Sequence, residues 1–150
     1  MRFVSGLMLL AVVGCTAGAP PGGGSGTSAG TTIIDVSLSA GTLVSTPFGN
    51  SIGFMPPVSN VSVGTMLQFV NRDTFAHTAT SVTGTTFPAD PGFTSSALDP
   101  SGSRLSSGWT SGNLAPGAAS PPVLADAPGT YLYGCFYHYS GGMHAAVVVH

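Results

Sequence analysis

Lysine and glutamate are absent from this 150-residue chain, and charged side chains make up only 5% of it. The cations are Arg2, Arg72 and Arg104; the anions are Asp35, Asp73, Asp90, Asp99 and Asp126. Nucleic acid is thereby excluded as a partner, because binding a phosphate backbone needs clustered Lys and Arg to displace counterions. Long-range steering of a protein partner is weak for the same reason, and with few titrating groups the stability depends little on pH. Cysteine is also scarce, with only Cys15 and Cys135. Beyond the first fifteen residues no window carries a sustained 3.6-residue apolar period, which argues against a helical protein.

The N-terminus has one cation, Arg2, followed by an apolar run from Phe3 to Val13 and then Gly14-Cys15. This reads as an export signal over residues 1–14, too short for a membrane-spanning helix. Val12-Val13-Gly14-Cys15 resembles the bacterial lipobox, which implies acylation of Cys15 as the mature N-terminus. A lipidated Cys15 leaves Cys135 unpaired, and a lone thiol in an oxidising compartment is exposed to mispairing unless something occupies it. Residues 15–31, rich in Gly, Ser, Ala, Thr and Pro, cannot bury apolar surface and read as a disordered tether; the sixteen residues from Thr16 to Thr31 span roughly 20 Å. Residues 32–150 suit one domain.

Within that domain, short apolar or alternating runs are separated by Gly, Pro, Ser and Asn. The pattern predicts an all-β fold. Strands are expected at Thr32–Leu38, Asn60–Val63, Met66–Asn71, His77–Val82, Trp109–Ser111, Pro122–Leu124, Gly129–Cys135 and Ala145–Val149, with a hairpin turn at Gly64-Thr65. Alternation points Leu67 and Phe69 inward and Gln68 toward water. Met66 and Met55 read as core. Residues 84–108, with Pro88, Pro91 and Pro100, form a long polar segment without periodicity; such loops are functional or disordered, and an inserted surface loop is the simplest reading.

The chemistry is concentrated in Cys135-Phe136-Tyr137-His138-Tyr139-Ser140-Gly141-Gly142-Met143, a C-x2-H-x4-M loop. Thiolate and thioether donors select copper, imidazole suits both of its oxidation states, and two His with one Cys and a distant Met define an electron-transfer copper site. The second imidazole is expected from His77 in Asn71-Arg72-Asp73-Thr74-Phe75-Ala76-His77-Thr78. Only a fold that returns the chain joins the two segments, and a β-sandwich does so because its loops cluster at its ends.

These motifs, with Ile52-Gly53-Phe54-Met55-Pro56-Pro57, Val61-Ser62-Val63-Gly64-Thr65, Trp109 to Gly117, Pro128 to Cys135 and Ala145 to Val149 in this order, resemble the cupredoxin (blue copper) family of the plastocyanin, pseudoazurin and amicyanin kind. The similarity runs from about Ile33 to Val149. It implies a Greek-key β-sandwich of about eight strands and one copper ion, cycling between Cu(I) and Cu(II), held by His77, Cys135, His138 and Met143. His138 would lie at the surface as the electron's exit route. Thr78 occupies a position where the family places a residue hydrogen-bonded to the ligands, although plastocyanin-like chains often carry Asn there. Asn71 and Asp73 read as turn formers; Asn71 is also a candidate for supporting the ligands.

Phe136, Tyr137 and Tyr139 surround His138 and either cap the core or form a docking face. His144 and His150 read as solvent-facing. The function expected is a lipid-anchored monomeric electron carrier, not an enzyme, on the periplasmic or outer face of a membrane, meeting redox proteins by transient docking and touching the membrane only through its anchor. A copper-handling module using the same site is the alternative, favoured by an exposed His144 beside Met143. A copper oxidase or reductase domain would need further His-rich clusters, and none is visible.

Overall fold

The computed structural model describes residues 30–150. The export signal, Cys15 and most of the tether lie outside the described residues. No helix among those described is long and apolar enough to cross a membrane.

Ten strands form the framework: β1 (Thr31–Val36), β2 (Val44–Thr46), β3 (Gly49–Ser51), β4 (Phe54–Met55), β5 (Val58–Val61), β6 (Met66–Asn71), β7 (Thr80–Val82), β8 (Val123–Leu124), β9 (Gly129–Gly134) and β10 (His144–Val149). One four-stranded sheet runs β4-β1-β6-β8 and another β5-β10-β9-β7, while β2 and β3 form a small ribbon. Only short 3-10 turns interrupt the β structure, at Ser95–Leu98, Leu105–Ser107 and Tyr139–Gly141. The all-β class expected from the periodicity, and the sandwich that the family resemblance implies, are therefore present.

β6 shows the clearest period of two: Leu67 and Phe69 are fully buried and Gln68 is half-buried. Phe69 stacks on Trp109 at a centroid distance of 5.0 Å and meets Tyr133 of the other sheet edge-on at 5.2 Å. Phe54 meets Tyr133 at 4.9 Å. These rings join the two sheets into one core with Ile34, Val36, Val61, Ala145 and Val147, each aromatic pair adding about 1 kcal/mol beyond the area it buries.

Several expectations need correction. Gly64-Thr65 is a tight turn, with the Thr65 amide donating to Ser62 O at 3.1 Å, but not a hairpin: β5 pairs with β10 and β6 with β1, so the turn carries the chain between sheets. Trp109–Ser111 makes only isolated bridges, Thr110 to Thr80 and to Ser101. The strand expected from His77 begins at Thr80, because His77 is bridged to Leu114 instead. The short β2, β3 and β4 fall below the length at which alternation can be read. Met55 is exposed and Met66 half-buried, since each sits on an outward position of its strand.

Residues 84–108 are packed rather than looped out. Phe87 and Phe93 lie over Val82, Leu132, Tyr139 and Ala146, so the segment covers the outer face of the β5-β10-β9-β7 sheet. Leu132 and Ala146 are the outward partners of Tyr133 and Ala145, and this cover explains why β9 and β10 are buried on both faces near the site.

Candidate metal centre

Two strand registers bring the site together. β7 pairs antiparallel with β9, placing Thr80 opposite Gly134; continuing both chains beyond this pair sets Thr78 opposite Phe136 and brings His77 to the end of the sheet that carries Cys135. β10 pairs with β9 from the other side, His144 opposite Gly134, which returns Met143 to the same end. The connection is tight: the Cys135 amide donates to Met143 O at 2.9 Å, the Met143 amide to His138 O at 3.2 Å, and the Gly142 amide, from a left-handed residue, to Tyr139 O at 2.9 Å.

Cys135 Sγ lies 3.6 Å from His77 Nδ1 and 3.5 Å from His138 Nδ1. The three donor atoms fall within 4.8 Å of one another. Metal bonds of about 2.3 Å to sulfur and about 2.0 Å to nitrogen at a tetrahedral angle put the donors about 3.5 Å apart, so the three donors fit one metal ion. This is the one such His, Cys, Asp or Glu group found among the described residues. Met143 is fully buried, its Cγ and Cε packed 3.0 and 3.1 Å from where a Cβ on Gly53 would stand.

Thr78 ties the two segments that carry these donor atoms. Its amide donates to Cys135 Sγ at 3.5 Å, and its Oγ1 accepts the Phe136 amide at 2.8 Å. Burial pushes the Cys135 thiol up, against the opposing hydrogen bonds from the Thr78, Tyr137 and His138 backbone; a bound cation would overcome that bias, since a coordinated thiol loses its proton. Asn71 supports the loop without touching a donor atom. Its Nδ2 donates to Phe75 O and Leu114 O at 2.8 and 2.9 Å, and its Oδ1 accepts the Asp73 amide at 2.9 Å.

Asp73 does more than form a turn. Its Oδ2 lies 2.8 Å from Nε2 of His77, both side chains fully buried. The carboxylate also accepts from Ser37 Oγ at 2.8 Å, from the Leu38 amide at 2.6 Å and from Ser39 Oγ. Burial alone would push the Asp73 carboxyl up, but the donors from Ser39, Ser37, His77 and Leu38 outweigh it and hold it well below the usual carboxylate range. No local sequence pattern announces this contact. It follows from the parallel β1–β6 register, Val36 opposite Asn71, which lays the two following turns side by side.

His138 is half-buried, and burial followed by the neighbouring His77 lowers its affinity for a proton. A shallow depression beside it is lined by Phe75, Ala76 and Tyr137. Phe75 is 40% and Tyr137 43% exposed, and Phe75 sits 4.8 and 5.6 Å from the His77 and His138 rings. Of the aromatics expected to surround His138, Tyr137 is exposed and Phe136 half-buried, whereas Tyr139 is buried against Gly134 and Phe93 and cannot dock a partner. Phe75 was missed because only the folded loop carries it to the His138 surface. His144 is not solvent-facing: it stacks on Phe87 at 4.0 Å and meets Tyr139 at a tilt at 4.9 Å, which removes the exposed imidazole that favoured copper handling. His150 is exposed as expected.

Two sheets joined by an aromatic core, with a His-Cys-His group where the 77 and 135–143 segments meet, define the cupredoxin fold. Among solved structures, the chain is similar to a purple cupredoxin from Nitrosopumilus maritimus (17% identity, TM-score 0.50, covering 79% of this chain and 98% of that one). It is also similar to a mutant plastocyanin of fern (20% identity, TM-score 0.50, covering 79% of this chain and 100% of that one). No protein-family model and no curated protein matches the sequence. At these identities the likeness establishes the fold.

Proposed function

We propose that this chain is a single-copper electron carrier, in which His77, Cys135 and His138 would be the principal ligands and Met143 a weaker thioether ligand. The observation that carries the reading is the convergence of two Nδ1 atoms on Cys135 Sγ at 3.5–3.6 Å, a donor set that suits an electron-transfer copper. Bound copper supplies a one-electron Cu(II)/Cu(I) couple. The chain's task is to hold the donors still while the charge changes. His77 is fixed by Asp73, Cys135 by the Thr78 amide, and the 135–143 loop by its own backbone bonds. Such outer partners orient ligands and tune the metal.

His138 provides the exposed imidazole edge through which an electron passes, and Phe75, Ala76 and Tyr137 form the surface that meets a redox partner. Small apolar contacts suit brief encounters. With so few charges near it, docking should vary little with salt. We place the protein, as a monomer, on the outer side of a membrane, anchored by lipid on Cys15. No bond is made or broken in its cycle.

Copper titration of the purified protein, read by optical absorption and spin resonance, tests this. One copper per chain with an intense thiolate charge-transfer band that vanishes in Cys135→Ser is expected; one bound copper without that band would overturn the electron-carrier reading.

A further inference from the structure

We propose that Asp73 is a positioning residue that biases the site toward the divalent, oxidised ion and so sets a low reduction potential; this rests on the copper reading above. Four donors from the chain converge on its carboxylate besides the His77 ring: Ser37 Oγ, Ser39 Oγ and the amides of Leu38 and Ser39, the last at 3.4 Å. Hydrogen bonds donated by two amides and two hydroxyls favour the ionised form of the carboxylate they surround. It therefore takes the Nε2 proton of His77 as a hydrogen bond at 2.8 Å. That fixes the ring tautomer: the lone pair is on Nδ1, the atom facing Cys135 Sγ.

The charge count follows. A thiolate at Cys135 and a carboxylate at Asp73 are both buried, and His77 and His138 are neutral as ligands. The other four carboxylates, Asp35, Asp90, Asp99 and Asp126, make no contact with the ligand side chains, and Asp35 is paired with Arg72. Two buried negative charges balance a dication and leave one negative charge uncompensated beside a monocation. An uncompensated buried charge is expensive. The carboxylate thus discriminates by valence, and it acts through the imidazole, since such partners raise a histidine ligand's basicity.

Asp73→Asn tests this, because the amide oxygen can still accept from Nε2 while the charge is gone. The ratio of Cu(I) to Cu(II) binding constants should rise at least tenfold, which for a one-electron couple is about 59 mV upward in potential. The apoprotein gives a readout independent of copper redox: Zn(II) affinity should fall at least tenfold relative to Ag(I). Ser37→Ala removes a buried donor and leaves the carboxylate less neutralised, so its potential should fall, opposite in sign to Asp73→Asn. A residue serving only to hold the loop would move both variants in one direction, or neither, and that result overturns the proposal. If Asp73→Asn does not fold, nitrogen NMR of the wild-type apoprotein decides with Ser37→Ala: a proton on His77 Nε2 is expected, and one on Nδ1 refutes the assignment. Loss of the thiolate band in the wild type would instead defeat the carrier reading and leave the Zn(II)-to-Ag(I) preference to judge Asp73.

Discussion

Gly53→Ala should push Met143, the proposed thioether ligand, out of place without replacing any ligand. Gly53 has φ +83°, and a Cβ there would stand 3.0 Å from Met143 Cγ and 3.1 Å from Met143 Cε. Two costs follow. A side chain in the left-handed region costs about 1 kcal/mol, and forcing Met143 aside in a packed core costs about 1–3 kcal/mol. The apoprotein should therefore lose about 2–4 kcal/mol of stability, or about 10 °C in melting temperature for a domain of this size. Denaturant unfolding of Gly53→Ala, Met143→Ala and the double variant separates the terms. Met143→Ala alone should cost about 2–5 kcal/mol, and in the double variant the overlap disappears while the backbone cost stays. The coupling should be about 1–3 kcal/mol, in the direction that makes the double variant more stable than the sum of the singles. Strict additivity would refute the claim that Met143 is held in place over Gly53.

Asn71→Ala removes three hydrogen bonds that hold the 71–77 turn; metal affinity should fall about 10–100-fold, measured by competition with a chelator. Phe87→Ala uncovers the His144 ring and opens the packing on the outer sheet face, so the apoprotein should lose about 1–3 kcal/mol, with faster hydrogen exchange along β9 and β10. Burial lowers the proton affinity of His138 and His144 from the ordinary imidazole value of 6.5. The unfolded chain then binds more protons below pH 6.5, so apoprotein stability should fall as the pH drops through 6.5 toward their folded values. Asp73, shifted down from 3.8, contributes a further loss only below that pH. Unfolding curves between pH 8 and 3 check both steps, and stability that is flat down to pH 4 contradicts the first.

The parts legible in the sequence are those written in local patterns. The alternation of Met66–Asn71 announced β6, and the spacing of Cys135, His138 and Met143 placed three donor types on one loop that the structure closes by backbone bonds. The need for His77 could be stated from chemistry, because a long-range return was required and a sandwich provides one. What stayed hidden depends on pairing between distant segments. Asp73 reads as a turn residue until the β1–β6 register sets Ser37–Ser39 beside it. His144 reads as a surface residue, and Tyr139 as either core cap or docking face, until Phe87 and Phe93 fold onto them, because residues 84–108 have no periodicity to show that they cover a sheet. Phe75 lies next to His138 for a similar reason. With five carboxylates in the whole chain, a buried one beside a proposed ligand carries unusual weight.

Copper-edge X-ray absorption of the loaded protein addresses the proposed ligand set most directly. One short bond to sulfur together with two to imidazole nitrogen, the sulfur contribution lost in Cys135→Ser, is the outcome expected here. A copper surrounded only by nitrogen and oxygen would contradict it.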